Sequence, residues 1–330
     1  WRRRRFVIAM AGVALVFAMG VVMSGLAASF SREIERTLDA VGAETWAVSD
    51  QASGPFTSFT PVPIEAGQGA APVMVLRQTI RVDGTVEDIV VLGVDPTRLG
   101  APDPDDGAAL SGRGQVVVDE ALEGVGIGDS ISVGGLPLDI VGTTTGQRIF
   151  AGIPVVYISL EDAQQIGVKG QPYATAFLYD ETPTTAPEGL RLMSNHDVKE
   201  DALRPLENAL TSIKIMQLLL WVVAATIIGS VLYLQALERT RDFAVFKATG
   251  TSTAAIGAGL ALQAVVLSLM SAVVAAGLSL VLAPLVPMNI EIPASAFYLL
   301  PVVTVTVGLL ASLVALRRTA TVEPALAFGG

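Results

Sequence analysis

Four long apolar blocks divide the chain: FVIAMAGVALVFAMGVVMSGLAA (6–28), IKIMQLLLWVVAATIIGSVLYLQAL (213–237), AAIGAGLALQAVVLSLMSAVVAAGLSLVLAPLV (254–286) and ASAFYLLPVVTVTVGLLASLVAL (294–316). Each reaches the roughly 20 residues needed to cross about 30 Å of hydrocarbon, so each predicts a transmembrane helix. The third is over-long and is expected to tilt, protrude or break near Pro284, and Pro301 predicts a local kink in the fourth. Between the first two blocks the pattern changes. A polar helix is expected to continue outward from Ser31, giving way to a strand over 45–49. Strands follow at 73–82, 88–95, 115–119, 129–133, 138–143, 154–159 and 173–180, with short helices over EALEG (120–124) and LEDAQQIG (160–167). SVGGLPLDIVG reads as a hairpin turning at Gly134–Gly135. From Asp201 the spacing is helical again through Leu203, Leu206, Leu210, Ile213 and Gln217, so the second span is expected to begin as a stalk.

The predicted fold class is a polytopic α-helical membrane protein with four transmembrane helices plus an α+β extracytoplasmic domain between helices 1 and 2. The division is 1–30 (flank and first span), 31–205 (outer domain with helical stalks), 206–237 (stalk and second span), 238–252 (a short connecting helix), 253–286 (third span), 287–293 (outer loop), 294–316 (fourth span) and 317–330 (tail).

Charge sets the orientation. Arg2–Arg5 precede the first span, Arg239, Arg241 and Lys247 lie between the second and third, and Arg317 and Arg318 follow the fourth, whereas PMNIEIP (287–293) has neither Lys nor Arg. By the positive-inside rule both termini and the 238–252 island are expected in the cytoplasm, with the large domain outside. That domain is acidic: 27 Asp and Glu against 11 Lys and Arg between Ser31 and Leu210 give −16, leaving +6 for the remainder of a chain whose net charge is −10. An acidic domain beside basic flanks argues against nucleic-acid binding. The arginines, apolar run and GLAAS also resemble a signal peptide, but the run is too long for an ordinary h-region and three more spans follow, so an uncleaved anchor is expected. The sequence starts at Trp1, so a short preceding cytoplasmic piece is expected. Cysteine is absent, which excludes disulfides, thiol catalysis and Cys-ligated zinc.

Candidate chemistry is sparse. GVGIGDS (124–130) and GTTTGQR (142–148) are Gly-rich but lack the GK[ST] ending of a phosphate loop and read as turns. DPDDG (103–107) lacks the spacing and distal Glu of a calcium loop. His196 is the single histidine, with no second ligand or nucleophile to suggest a metal or catalytic role. The spans hold essentially no ionisable residues, and Gln217 and Gln263 are their main strongly polar side chains, which speaks against proton or sodium coupling. No catalytic, metal-binding or cofactor-binding residue is therefore expected. Gly20 and Ser24, four residues apart, are candidates for close dimer packing; Gly25/Ser29 and Ala272/Ala276 repeat a spacing that permits close helix approach.

The island ERTRDFAVFKATGTS (238–252) puts Arg239, Phe243, Phe246 and Gly250 on one side of a helix, with Arg241, Asp242 and Lys247 off that stripe. Gly250 suits a left-handed C-cap, and Thr251–Thr253 offer N-caps for the next span. The aromatics can rest on the lipid interface or dock into a groove of a soluble partner, and spacing alone leaves both readings open.

LERTRDFAVFKATGTS resembles the signature of FtsX-like permeases, the membrane subunits of MacB-type (type VII) ABC transporters, in which E-R-x-R-[DE]-x-x-x-x-[KR]-A-x-G follows the second span. Glu238, Arg239, Arg241, Asp242, Lys247, Ala248 and Gly250 match it. GQVVVDEAL…GIGDSISVGGLPLDIVGTT is similar to the family's outer-domain segment, and LRRTATVEPALAF, with Glu323-Pro324-Ala325, to its tail; the whole looks closest to actinobacterial members. Thr249 stands where an aliphatic is usual, the basic residues that often follow the Gly are absent from TSTAAIG, and no ATPase domain is fused. The resemblance implies a non-catalytic subunit in a bacterial plasma membrane, paired with a second copy and with two ABC ATPase subunits that bind the ATP and Mg. Further implied partners are membrane lipid and an extracytoplasmic protein. The island would be the coupling helix, with Glu238, Arg239, Arg241, Asp242, Phe243, Phe246, Lys247 and Gly250 as coupling residues. Export or extraction of a hydrophobic or amphipathic substrate by mechanotransmission is the leading expectation. Activation of a cell-envelope partner such as a cell-wall hydrolase, or amino-acid transport, are the alternatives.

Overall fold

The computed structural model describes residues 2–285 and 290–320, with side chains over 7–285 and 290–313. The side chains of the basic flanks Arg2–Arg5 and Arg317–Arg318, residues 287–289 of the short outer loop, and the tail with Glu323-Pro324-Ala325 lie outside the described residues. The chain divides into two units, Phe30–Asn208 and the remainder.

The helices are α1 (Arg2–Val41), α2 (Leu160–Val168), α3 (Asn195–Leu203), α4 (Glu207–Glu238), α5 (Thr240–Ala248), α6 (Thr253–Leu282) and α7 (Ala294–Ala320). Among the described residues four stretches are long and apolar enough to cross a membrane, Val7–Val41, Asn195–Glu238, Thr253–Leu285 and Ala294–Leu313. In the unit outside Phe30–Asn208, α1, α4, α6 and α7 share one apolar cluster, which takes Val13, Phe17 and Val21 from α1 and Ile228 and Leu232 from α4. These recur at four-residue spacing because that interval returns a side chain to nearly the same helix face. Small residues bring α6 and α7 together: a Cβ on Gly308 would meet Ser268 Oγ and the Ala264 carbonyl oxygen at 2.2 and 3.1 Å.

The strands of the other unit are β1 (Thr45–Ser49), β2 (Val62–Pro63), β3 (Ala71–Val82), β4 (Thr85–Val94), β5 (Asp106–Gly107), β6 (Gln115–Asp119), β7 (Ser130–Val133), β8 (Leu136–Thr144), β9 (Arg148–Ile149), β10 (Ile153–Ser159), β11 (Tyr173–Ala174), β12 (Ala176–Tyr179) and β13 (Leu190–Ser194). The main sheet runs β13-β1-β12-β3-β4-β10-β6-β8-β5, with β7 on β8 and β9 on β10. Pairing is antiparallel except for β10 with β4 and β6 with β8.

Near-continuous apolar runs in β3, β4, β6 and β10 reflect a sheet buried on both faces. Val73, Val75, Val90, Leu92, Val117, Val155 and Tyr157 enter one core, which holds Ile34, Leu38 and Val41 of α1 and Val198 and Ala202 of α3. Their alternating neighbours, Met74, Leu76, Ile89, Val91, Val116, Val118, Val156 and Ile158, enter a second core with Leu160 and Ala163 of α2.

The hairpin turns at Gly134 and Gly135, both at positive φ (57° and 86°), as a two-residue turn between paired strands requires. Three expectations need correction. EALEG is a turn rather than a helix, because the buried Asp119 captures the Ala121 amide at 3.0 Å and Gly124 sits at φ 82°. The strand expected over 173–180 is interrupted at Thr175, whose hydroxyl accepts from the Val75 amide at 2.8 Å and donates to the Val73 carbonyl at 3.3 Å. LRLMS, unassigned in the sequence, is the edge strand β13, paired with β1 from Thr45↔Ser194 to Ser49↔Leu190.

Gly93 marks the tightest approach of α2 to the sheet, since a Cβ there would lie 2.1 Å from Ala163 Cβ. Gly93→Ala is expected to cost about 1–3 kcal/mol through overpacking, seen as faster amide hydrogen exchange along α2 in the full-length protein.

Candidate functional site

The island folds as expected in outline. Thr240 Oγ1 donates back to the Ala236 and Leu237 carbonyls, at 3.2 and 2.8 Å, and Arg239 leaves helical geometry at φ −108° and ψ 16°, so α4 stops and α5 restarts. α5 ends in a Schellman motif: the Thr251 amide donates to Phe246 O at 2.8 Å, the Gly250 amide to Lys247 O at 3.1 Å, and Gly250 takes φ 94°. Ser252 then caps α6, accepting from the Ala255 amide at 3.2 Å. The non-helical backbone between α4 and α6 thus has its polar groups largely paired.

The two phenylalanines share a side of α5 with Arg239, as the stripe predicts, but differ in burial. Phe243 is 8% exposed and belongs to the apolar cluster of the bundle with Ala236, Ile256 and Leu260, while Phe246 is 51% exposed. Three residues on a helix differ by about 60° in direction, and the edge of the bundle falls between them. Of the two, only Phe246 is open to the surroundings. Glu238, Arg239, Arg241, Asp242 and Gly250 are exposed and Lys247 is half-buried; Glu238 and Lys247 are engaged with other groups.

A groove of about 320 Å³ opens beside α5 between the end of α4 and the first three turns of α6. Phe243, Phe246, Ile256 and Leu260 are its main apolar lining, and Gln235, Arg239 and Gln263 add polar groups. Among the described residues the side chains of these last three have no hydrogen-bond or ion-pair partner. The sequence showed Gln263 only as an isolated polar residue in an apolar block. Its convergence with Gln235 and Arg239 comes from the packing of α4 on α6, although the four-residue spacing of Gln235 and Arg239 was visible.

Gly20 does not face outward as a dimer contact. It is buried against α4 of the same chain: Gln217 Nε2 donates to its carbonyl at 3.1 Å, and its Cβ position is 3.7 Å from Trp221 Nε1. Gln217, the lone polar group in that part of the span, is satisfied by the carbonyl that this glycine leaves accessible. Ser24 is half-buried. Gly25 is covered within the chain as well, its Cβ position lying 2.8 Å from Ile290, and Ser29 Oγ accepts from the Glu291 amide at 3.0 Å.

Two buried carboxylates of the outer unit serve its own architecture. Asp119 accepts from the Gln147 amide at 2.7 Å and from Arg148 Nε at 3.0 Å. Burial, and secondly the Asp119 charge, push the Tyr157 phenol well above its ordinary range, so it stays protonated. Asp201 is wholly buried and accepts from the Phe56 and Thr57 amides at 3.0 and 3.2 Å, pinning the loop after β1. His196, Asp197 and Glu200 lie close together but exposed, and the Asp197 carboxylate already closes the capping box of α3 with Ser194.

The burial difference on α5 has a measurable consequence. Phe243→Asp is expected to destabilise the membrane unit by about 3–5 kcal/mol, and Phe246→Asp by about 0.5 kcal/mol or less, in thermal unfolding of the detergent-solubilised protein.

Comparison with known proteins agrees with this layout. The FtsX-like permease C-terminal family model matches residues 214–324, and the MacB-like periplasmic core domain model matches residues 6–186. An uncharacterized ABC transporter permease of Mycobacterium tuberculosis (strain ATCC 25618 / H37Rv) is 43% identical over 339 residues, covering 100% of this chain and 97% of the relative. A second from the same strain is 40% identical over 339 residues with the same coverage. The periplasmic region of MacB from Actinobacillus actinomycetemcomitans aligns with 51% of this chain and 96% of its own length, at 11% identity and a TM-score of 0.34. With both family models matched in chain order and relatives 40–43% identical over nearly their whole length, the chain belongs to the FtsX-like, MacB-like ABC transporter permeases, membrane proteins with an extracytoplasmic domain.

Proposed function

We propose that this permease is the non-catalytic membrane half of a machine driven by a separate ATP-hydrolysing subunit, with α5 as the point of contact. The observation that carries the reading is the division of labour on α5: Phe246 is exposed beside Arg241 and Asp242, while Phe243 is anchored in the bundle. An exposed aromatic with charged neighbours on a short, capped helix is suited to a partner's groove. The buried aromatic three residues away ties the same helix to the spans, so force on α5 reaches the bundle rather than bending a loop.

Transmission to the outer domain is supported by the continuity of α1. It runs unbroken from Arg2 to Val41, about 60 Å at 1.5 Å per residue, with its two ends in different units. In this reading α5 and both termini are cytoplasmic. Two copies of the chain work with two ATPase subunits, which bind the ATP and Mg. Cycles of ATP hydrolysis move the outer domains to extract or expel a hydrophobic or amphipathic substrate. The exposed apolar surface on α4, including Leu218, Leu219, Val222 and Val223, supports lipid or a second copy as its covering.

The test is co-purification and ATP turnover with the cognate ATPase in mild detergent. Phe246→Asp is expected to weaken assembly at least about tenfold while leaving membrane insertion and thermal stability intact. Full assembly and undiminished turnover in that variant would sink the coupling role.

A further inference from the structure

We propose that the groove beside α5 is a binding site for one anionic glycerophospholipid. Its phosphate is held by Arg239, and its glyceryl ester carbonyls are reached by the amides of Gln235 and Gln263.

The lining selects this class of ligand. Arg239, Gln235 and Gln263 supply at least nine N–H donors between them by side-chain type, and none of the three has a partner among the described residues. A neutral hydrocarbon would leave all of these unmatched. A small hydrophilic anion would leave the apolar walls, Phe243, Phe246, Ile256 and Leu260, unused. A phospholipid satisfies both, because its anionic phosphate, ester oxygens and acyl chains follow one another along a single molecule.

Position and size agree. Arg239 and Thr251 stand at the ends of apolar helices, the level at which headgroups meet hydrocarbon. Gln263 lies ten residues into α6 from Thr253, about 15 Å along its axis. That distance covers a headgroup layer and the start of the acyl region. Next to the groove, Leu234 and Leu262 are 54% and 64% exposed, an apolar track along which acyl chains can run. The volume of about 320 Å³ suits a phosphoglycerol head with its ester groups rather than an entire lipid, whose tails stay outside.

The site shares Phe246 with the proposed coupling surface, but it does not depend on that reading. Lipid retention is a property of this chain by itself, so its failure is separable from failure to bind an ATPase.

Gly259 offers a way to close the groove without altering charge. It lines the cavity, and a Cβ built on it meets nothing within 4 Å. Gly277, on the same helix outside the groove, is equally open and serves as the control. The experiment is native mass spectrometry of the full chain, without ATPase, titrated in detergent with phosphatidylglycerol and with phosphatidylcholine. The wild type is expected to retain one phosphatidylglycerol per chain in preference to phosphatidylcholine. Arg239→Gln and Gly259→Leu should each lower phosphatidylglycerol occupancy about tenfold, while Arg239→Lys keeps most of it and Gly277→Leu keeps all of it. Equal retention of both lipids, unchanged occupancy in Arg239→Gln and Gly259→Leu, or an equal loss in Gly277→Leu would each overturn the proposal. So would displacement of the lipid by millimolar inorganic phosphate, which would make the site one for a free anion, or by an acidic peptide, which would make it one for a protein partner.

Discussion

Backbone polar groups have no partner in hydrocarbon, and the membrane unit is arranged around that constraint. Helices satisfy it along their length, so the turns fall at the ends of the apolar blocks, where caps pair the remaining groups. Between α4 and α6 the turn is made in a single short segment. Thr240 closes one helix, the Gly250 left-handed cap closes the next, and Ser252 opens the third. α5 exists because these caps leave nine residues between them that pair their own backbone, from Thr240 to Ala248. The same caps set which of its faces meets the bundle, and hence which aromatic a partner can reach.

Polar side chains in the apolar region obey the same rule in two ways. Gln217 meets it inside the chain, through the carbonyl exposed by Gly20. Gln263 does not, and neither do Gln235 and Arg239. A buried or lipid-facing amide without a partner is costly. Two such amides, Gln235 and Gln263, beside one groove with the exposed Arg239 therefore carry more information than any one of them alone. In the outer unit the comparable groups, Asp119 and Asp201, are matched to local amides and hold loops against the sheet. That contrast separates polar residues that build the fold from those available to a ligand.

Much of the architecture was readable from periodicity. Four apolar blocks, the outward continuation of the first helix past Ser31 and the apolar runs of β3, β4 and β10 all follow from local sequence. The failures share a cause. LRLMS was overlooked because a short edge strand has no strong pattern of its own and is defined by its pairing with β1. EALEG looked helical because its residues favour helix, but the Asp119 carboxylate offered the backbone a closer partner. Thr175 broke an apparently continuous strand through bonds to β3, about a hundred residues earlier in the chain.

The sequence by itself determined the spans, the outer α+β domain, the family and the presence of a capped, charged helix between the second and third spans. These depend on local composition and spacing, which a linear chain carries directly. Tertiary structure alone decided that Phe243 turns inward and Phe246 outward, and that Gly20 is covered by Gln217 and Trp221 of its own chain. It also decided that Arg239, Gln235 and Gln263 face one groove. Helical spacing fixes only the angle between side chains on one helix. Which direction is buried depends on where the neighbouring helices lie, and that is set by packing between residues far apart in the chain.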